Sequence, residues 1–169
     1  MIITFNITRT GWMADISRRK FNACLREAFR AIGVYWWKHF RSKHFTARGA
    51  AEYDYQPRKG EGGNVDEKDF RRSYTGRKLR RFGHTRPLVW TGKSERDSRT
   101  ARIVATAKRV RVKMTLPRLN WRHESRRQTM REELTTISAK EETKLRKLFR
   151  DVLVIGLYRI RGRKRRKAA

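Results

Sequence analysis

The chain of 169 residues has little cysteine and no long apolar run. Its single cysteine, Cys24, excludes an internal disulfide and a cysteine-based zinc site. Cys24 falls in an apolar helical pattern, so we expect a buried and inert thiol. No apolar run approaches the ~18 residues of a membrane span, and the N-terminus lacks the features of a secretory signal. These absences predict a soluble protein of a reducing cytosol, or of an assembly built there.

Negative charge is also scarce. Sixteen Asp and Glu residues stand against 45 Lys and Arg residues, which gives a formal net charge of +29. Such a charge repels itself and disfavours the compact monomer, so it implies a polyanionic partner, acidic protein neighbours, or both. Nucleic acid is the favoured partner, because cations that replace condensed counterions on phosphates gain affinity from their release. Charge alone does not separate a reader of DNA from a protein that works near DNA.

Catalytic constellations are weak. His39 and His44 are five residues apart, which does not place them on one helical face for a metal. The glycines of residues 59–63 follow no strand and precede no Lys-Ser or Lys-Thr, so they form no phosphate-binding loop. No Gly-x-Ser-x-Gly sequence is present. We predict that the chain is not an enzyme and holds neither a cofactor nor a metal. A metal nuclease built on carboxylates such as Asp69 or Glu133 is the weakest alternative.

Apolar periodicity predicts a mixed fold within one domain over residues 1–160. Residues 2–8 alternate as a short strand, and apolar residues recur at three- and four-residue steps over about 15–40, as in an amphipathic helix. Residues 41–69 hold few apolar anchors and predict a long mobile loop. Aromatic residues within the helix pattern are more often core or subunit contacts than a base-stacking platform.

The basic segment 70–86 has two equally weighted interpretations. It is either a solvated helical face with a few buried anchors or a contact for a polyanion. The second interpretation assigns that contact to Arg77, Lys78, Arg80 and Arg81.

Two β-type runs follow, at about 100–107 and 109–116. In the second run Arg109, Arg111 and Lys113 alternate with apolar residues, which gives one apolar and one cationic face. We hypothesise that the cationic face meets an acidic neighbouring subunit or DNA.

A C-terminal helix has the clearest local signal. Ser138 and Glu141 have the spacing of a capping box, and an apolar stripe then runs to about Tyr158 or Ile160. The remaining residues, 161–169, predict a basic flexible arm that a polyanion or an acidic neighbour orders. Its candidate contacts are Arg163, Lys164, Arg165, Arg166 and Lys167.

The order of these elements resembles a known family, the small tail-completion proteins of tailed bacteriophages, which include virion morphogenesis and minor tail proteins. That family has an N-terminal amphipathic helix, a polar loop, and a basic segment ending in Pro-Leu-hydrophobic-x-Thr/Ser-Gly. A strand pair and a helix opened by Ile-Ser-x-x-Glu/Asp follow. Here residues 86–92 read Arg-Pro-Leu-Val-Trp-Thr-Gly, and residues 137–141 read Ile-Ser-Ala-Lys-Glu. The resemblance spans about residues 15–158, while Lys93 stands where many relatives carry leucine.

The resemblance implies an α+β fold, with an antiparallel sheet packed by an N-terminal and a C-terminal amphipathic helix. It also implies a ring of roughly six or twelve identical subunits in the virion. The ring would lie at the head–tail junction or the tail end, and genome DNA would pass through it. Its partners would be connector or tail-tube proteins, assembled in the host cytoplasm. Our candidates for subunit packing are Tyr35, Trp36, Trp37, Trp90 and Trp121. The alternative is a basic nucleic-acid-binding protein, of a ribosomal or DNA-packaging kind.

Overall fold

The computed structural model describes residues 1–8, 10–61, 63–119 and 129–168, and for 163–168 it describes the backbone alone. The chain divides into two compact units. Unit 1 consists of Met1–Phe40, Ala101–Lys113 and Ala139–Ala169. Unit 2 consists of Arg41–Thr100 and Met114–Ser138. The single ring-forming domain expected over residues 1–160 stays a prediction.

Unit 1 contains a three-stranded antiparallel sheet. Its strands are β1 (Ile2–Thr4), β2 (Arg102–Ala105) and β3 (Arg109–Lys113), in the order β1-β3-β2. The predicted strand pair is therefore present, although both strands are shorter than the patterns that predicted them. The hairpin turn between β2 and β3 is closed by the Thr106 amide, which donates to the Arg109 carbonyl at 2.8 Å. The mixture of helices and sheet confirms the predicted α+β class.

Helix α1 (Arg18–His39) packs on the apolar face of this sheet. Its buried residues recur at three- and four-residue steps, which is the stripe that the sequence predicts. Gly33 lies against the sheet, where a Cβ atom would meet a Val110 methyl group at 2.6 Å. The helix approaches β3 this closely because residue 33 has no side chain. A 3-10 helix, Gly11–Asp15, precedes α1.

Helix α7 (Ala139–Ala168) packs along α1. Phe149 meets Phe29 of α1 at 4.8 Å between ring centroids and Phe5 at 4.9 Å, both edge to face. The predicted end near Tyr158 or Ile160 is wrong, because the helix continues to Ala168. Arg and Lys are good helix formers, and cations near a helix C-terminus interact favourably with its dipole. The flexibility of the arm stays a prediction.

Unit 2 is built from short helices. The structure gives α2 (Ala47–Glu52), α3 (Lys68–Arg72), α4 (Tyr74–Phe82), α5 (Lys93–Asp97) and α6 (Met130–Leu134), with 3-10 helices at Arg41–Phe45 and Pro117–Leu119. Ser73 caps α4 by accepting a hydrogen bond from the Gly76 amide at 3.1 Å. Gly83 ends α4 with a φ of 68°, a left-handed conformation that glycine adopts without steric cost.

The core of unit 2 corrects the expectation of a mobile loop for residues 41–55, the first half of the predicted segment 41–69. Phe45, Tyr53 and Tyr55 from that segment are buried in one apolar cluster. The other buried members of the cluster are Leu88, Val89, Leu116, Leu119 and Leu134. The segment has few apolar residues, but its three aromatic residues all reach the same core, which holds the backbone without long helices.

A capping box at α6 and a contact of Ser138 lie at the end of unit 2. The structure forms a complete capping box at α6, where Thr129 and Glu132 each accept from the other's backbone amide. This box was not predicted from the sequence. The Ser138 hydroxyl donates to the Glu52 carboxylate at 3.3 Å, and the capping box expected from Ser138 and Glu141 stays a prediction. In the part of the chain that the structure describes, no helix is both long and apolar enough to cross a membrane.

Candidate functional site

The outer face of the unit 1 sheet carries the predicted cations. Val110 and Val112 of β3 are buried against α1, so Arg109, Arg111 and Lys113 alternate onto the opposite face. Arg109 and Lys113 are exposed, whereas Arg111 is half-buried. The predicted separation into an apolar and a cationic face is thus confirmed for residues 109–113.

The strand register adds a fourth cation, which the sequence analysis missed. Arg102 of β2 pairs with Lys113, so the two residues share the outer face. Ile2 and Val104 pair with Arg111 from the two sides, and Thr4 pairs with Arg109. No carboxylate lies on this face among the residues of the three strands. A sequence pattern does not reveal Arg102, because the pairing register of β2 decides its face.

Charge is divided unequally between the units. By sequence, unit 1 carries 24 Lys and Arg residues against 5 Asp and Glu residues, and unit 2 carries 21 against 11. The open sheet face therefore belongs to the more cationic unit. The side chains of Arg163, Lys164, Arg165, Arg166 and Lys167, which we also predicted as contacts, lie outside the described residues.

A second cationic region lies in unit 2, around Trp90. A pocket of about 940 Å³, here named the Trp90 pocket, has a wall formed by Tyr74 and Trp90. The two rings stack with centroids 5.1 Å apart. Its floor includes Leu88, Leu119 and Met130. Its cationic lining residues are Arg58, Lys59, Arg72, Arg77 and Arg118, and no Asp or Glu among the described residues lines it.

Residues 86–92, which carry the family resemblance, contribute three of the lining residues of this pocket. They form no regular helix or strand. Leu88 is buried and has a φ of 55°, a left-handed conformation that is rare for a residue with a side chain. Strained backbone of this kind persists where surrounding contacts fix it, and it clusters at functional sites. Trp90 and Thr91 both line the pocket.

Comparison with protein families, curated proteins and solved structures finds no significant match to this chain.

The predicted contacts on α4 divide into two groups. Arg77, Arg80 and Arg81 are exposed, and together with Trp90 they line a smaller cleft. Lys78 is only 3% exposed, so it is not a surface contact. Its ammonium group donates to the Arg86 carbonyl and lies 5.7 Å from the centre of the Tyr74 ring. Burial, together with the positive charge of Arg58, lowers the pKa of Lys78 to about 8.

The aromatic candidates for subunit packing differ in how far they are buried. Trp36 is fully buried in unit 1, so it is a core residue and not a contact between subunits. Tyr35 and Trp37 are half-buried, and Tyr35 meets His39 and Phe40 through its ring. Trp90 belongs to the pocket described above. Trp121 lies outside the described residues.

Among the described residues, the side chains that could act as nucleophiles, bases or metal ligands are not grouped into a site. Cys24 is buried, as predicted, and burial with the nearby Glu27 carboxylate raises the pKa of its thiol. His44 is buried, and its Nδ1 atom shares a hydrogen bond of 2.5 Å with the Tyr55 hydroxyl. Among the described residues, no three His, Cys, Asp or Glu side chains are grouped to hold a metal ion.

Proposed function

We propose that this chain is a structural virion protein of a tailed phage and not an enzyme. It would form a ring at the head–tail junction or the tail end, as a tail-completion, tail-terminator or connector subunit through which DNA passes. The resemblance of its motif order to the tail-completion family supports the proposal. The open cationic face of the unit 1 sheet is the observation that carries it.

The face suits a passage for DNA for a physical reason. Arg102, Arg109, Arg111 and Lys113 stand on a sheet whose other face is packed by α1, so their backbone positions are fixed. Cations on a fixed surface contact phosphates without reading sequence, and their affinity comes mainly from counterion release. In a closed ring each subunit presents the same face, so the contact repeats around the passage.

Purification tests the proposal first. We expect a discrete ring of roughly six or twelve copies by sedimentation and electron microscopy, alone or once a neighbouring connector protein is added. A protein that stays a single copy under all these conditions and never enters a virus particle contradicts it.

Charge reversal tests the role of the face. Arg102→Glu, Arg109→Glu and Lys113→Glu together change exposed residues only, and Arg111 is kept because it is half-buried. We expect the variant to fold, by circular dichroism, and to fail to enter particles or to retain DNA. The matched control reverses Arg18, Arg19 and Lys20, which are exposed at the start of α1. Normal particles from the sheet variant would overturn the assignment.

A basic nucleic-acid-binding protein is the second candidate. The excess of 24 Lys and Arg over 5 Asp and Glu in unit 1 favours it. This function predicts tight binding of DNA or RNA by the isolated monomer, with an affinity that falls steeply as salt rises. A defined recognition sequence would decide for this candidate and against the ring.

A further inference from the structure

The Trp90 pocket combines an apolar interior with a cationic rim. Leu88, Leu119 and Met130 are aliphatic, and the stacked Tyr74 and Trp90 rings add an aromatic wall. An interior of this kind stabilises a bound apolar side chain by removing it from water. The volume of about 940 Å³ lies within the range of sites that enclose a ligand.

The rim carries positive charge that the described residues leave uncompensated. Arg58 is different from the other lining cations, because Glu133 pairs with it at 2.5 Å. Within the described part of the chain, no ion pair forms at the four other cations, Lys59, Arg72, Arg77 and Arg118. Arg80 and Arg81 extend the positive surface into the adjoining cleft. An occupant of this pocket therefore carries negative charge as well as an apolar group.

We propose that the Trp90 pocket binds an acidic peptide segment of a partner protein. A leucine or an aromatic side chain of that segment fills the pocket, and flanking Asp or Glu residues meet Arg72, Arg77 and Arg118. The proposal goes beyond the ring function and does not require it, because one subunit contains the whole pocket.

The pocket chemistry favours a peptide over nucleic acid. Tyr74 already covers one face of Trp90, and Phe82 meets the same ring at 72° with centroids 5.2 Å apart. A base therefore finds little free ring surface, whereas stacking on open aromatic faces is what binds single strands. A phosphate backbone would also leave the aliphatic floor unfilled. A peptide with alternating acidic and apolar side chains fills the floor and neutralises the rim.

A second copy of this chain is the other possible source of an acidic segment. Residues 61–69 contain Glu61, Asp66, Glu67 and Asp69, and Val65 is 53% exposed. This segment begins and ends beside Lys59 and Arg72, at the rim of its own pocket. Because this segment offers Val65 as its one large apolar side chain and contains no leucine or aromatic residue to fill the pocket, we assign the pocket to a different protein. A peptide of residues 61–69 separates the two cases.

The experiment selects binders from a displayed library of random peptides of about twelve residues, at ~0.15 M salt, where exposed charges are screened beyond ~8 Å. We expect the enriched peptides to be acidic and to share an aromatic residue or leucine. Labelled peptides are then titrated by fluorescence polarisation. Arg72→Glu with Arg77→Glu should weaken binding about tenfold or more, because two attractive charges become repulsive.

A matched control separates pocket binding from general attraction to a basic protein. Arg18→Glu with Arg19→Glu has the same net charge as the pocket variant but lies in unit 1, and it should bind like the unchanged protein. Met130→Gln, which makes the floor polar without changing charge, should also weaken binding. Circular dichroism checks that each variant is folded.

Several results would overturn the proposal. They are a library that shows no enrichment, enriched peptides that are not acidic, and equal binding by the pocket variant and the control. Displacement of the labelled peptide by the 61–69 peptide would make a second copy the occupant. Displacement by oligothymidylate at lower concentration than by unlabelled peptide would make it nucleic acid. Each outcome is independent of whether the purified chain forms rings.

Discussion

Arg58 and Glu133 form a buried two-point ion pair between parts of unit 2 that are 75 residues apart in sequence. Two guanidinium nitrogens of Arg58 donate to the two Glu133 carboxylate oxygens, at 3.3 and 2.5 Å. Arg58 also donates to the Gln56 carbonyl at 3.0 Å. The pair thereby joins residues 56–58, which have no regular structure, to helix α6.

Removing one partner of this pair should destabilise unit 2 strongly. Glu133→Ala leaves the Arg58 guanidinium buried without its carboxylate, and we expect a loss of about 3 kcal/mol in the free energy of unfolding. Urea titration followed by circular dichroism measures it. Arg58→Met with Glu133→Leu should recover most of the loss. As a control, Glu142→Ala breaks the exposed pair with Arg146 and should cost less than about 0.5 kcal/mol.

A methyl group at position 33 should destabilise unit 1. In Gly33→Ala the new Cβ lies 2.6 Å from a Val110 methyl group and 3.1 Å from an Ile103 methyl group, and both side chains are stiff. Overpacking of this kind costs about 1–3 kcal/mol, although alanine returns up to about 1 kcal/mol of helix propensity.

Thermal unfolding measures the net effect. Gly162→Ala in α7, where a Cβ has open space, should cause no loss. Adding Val110→Ala should relieve the Gly33→Ala clash, so the double variant should lose less stability than the two single variants lose together. If the loss in the double variant equals or exceeds that sum, packing against Val110 is not the cause.

Unit 2 should lose stability as the pH falls below about 6.5. Burial lowers the pKa of His44 to about 3. A hydrogen bond with the Glu133 backbone raises that pKa, but its effect is smaller than the effect of burial. The folded state therefore keeps His44 neutral, while the unfolded state binds a proton below its ordinary pKa of about 6.5. The linkage predicts a loss of about 2 kcal/mol between pH 7 and pH 5, and full stability above pH 6.5.

Unfolding by urea at several pH values tests this dependence. His44→Gln should be less stable at pH 7 but should lose stability less steeply towards pH 5. The exposed His39 provides the control, since His39→Gln should leave the slope unchanged. Equal slopes for His44→Gln and the unchanged protein would disprove the role of His44.

Replacing the buried Lys78 by methionine should stabilise unit 2 at pH 7. The pKa of Lys78 is lowered to about 8, so the folded state disfavours its charge. Methionine keeps the packing and removes that cost, and we expect a gain of about 1 kcal/mol after the loss of the hydrogen bond to Arg86. The gain should shrink as pH rises from about 8 through 10.5, because the lysine is neutral in both states only above its ordinary pKa.

Arg77→Met is the matched control, because Arg77 is exposed on the same helix and should change stability little. Chemical unfolding at pH 7 and pH 10 measures both variants. A loss of stability in Lys78→Met at pH 7 would mean that the hydrogen bond to the Arg86 carbonyl outweighs the burial of charge.

The sequence predicts the parts of the fold whose burial is periodic. α1, the first half of α7 and the β2–β3 pair each repeat apolar residues with one period, and a repeated period identifies both the element and its buried face. Trp36 shows the limit of this inference, since the same stripe fits a core residue and a contact between subunits. Only its burial in the folded structure separates the two.

Unit 2 was not predictable in the same way. Its helices are as short as five residues, which is less than two turns and shows no period. Its order depends on long-range pairs such as Arg58 with Glu133, and on Leu88, whose backbone conformation its residue type does not indicate. Lys78 and Arg77 look alike in sequence, and one is buried only because α4 turns that position inward. The Trp90 pocket could not be predicted either, because its lining residues come from several short segments that only the tertiary fold brings together.

The register of β3 decides at once which of its residues are buried and which are exposed. A single residue inserted within Arg109–Lys113 would move the residues on one side of the insertion to the opposite face, so that cations turn toward α1 and a valine becomes exposed. Length changes are tolerable only in the hairpin turn at residues 106–108. Related genes can therefore vary the charge on this face freely by substitution, but insertions and deletions inside the strand should be absent from every functional copy.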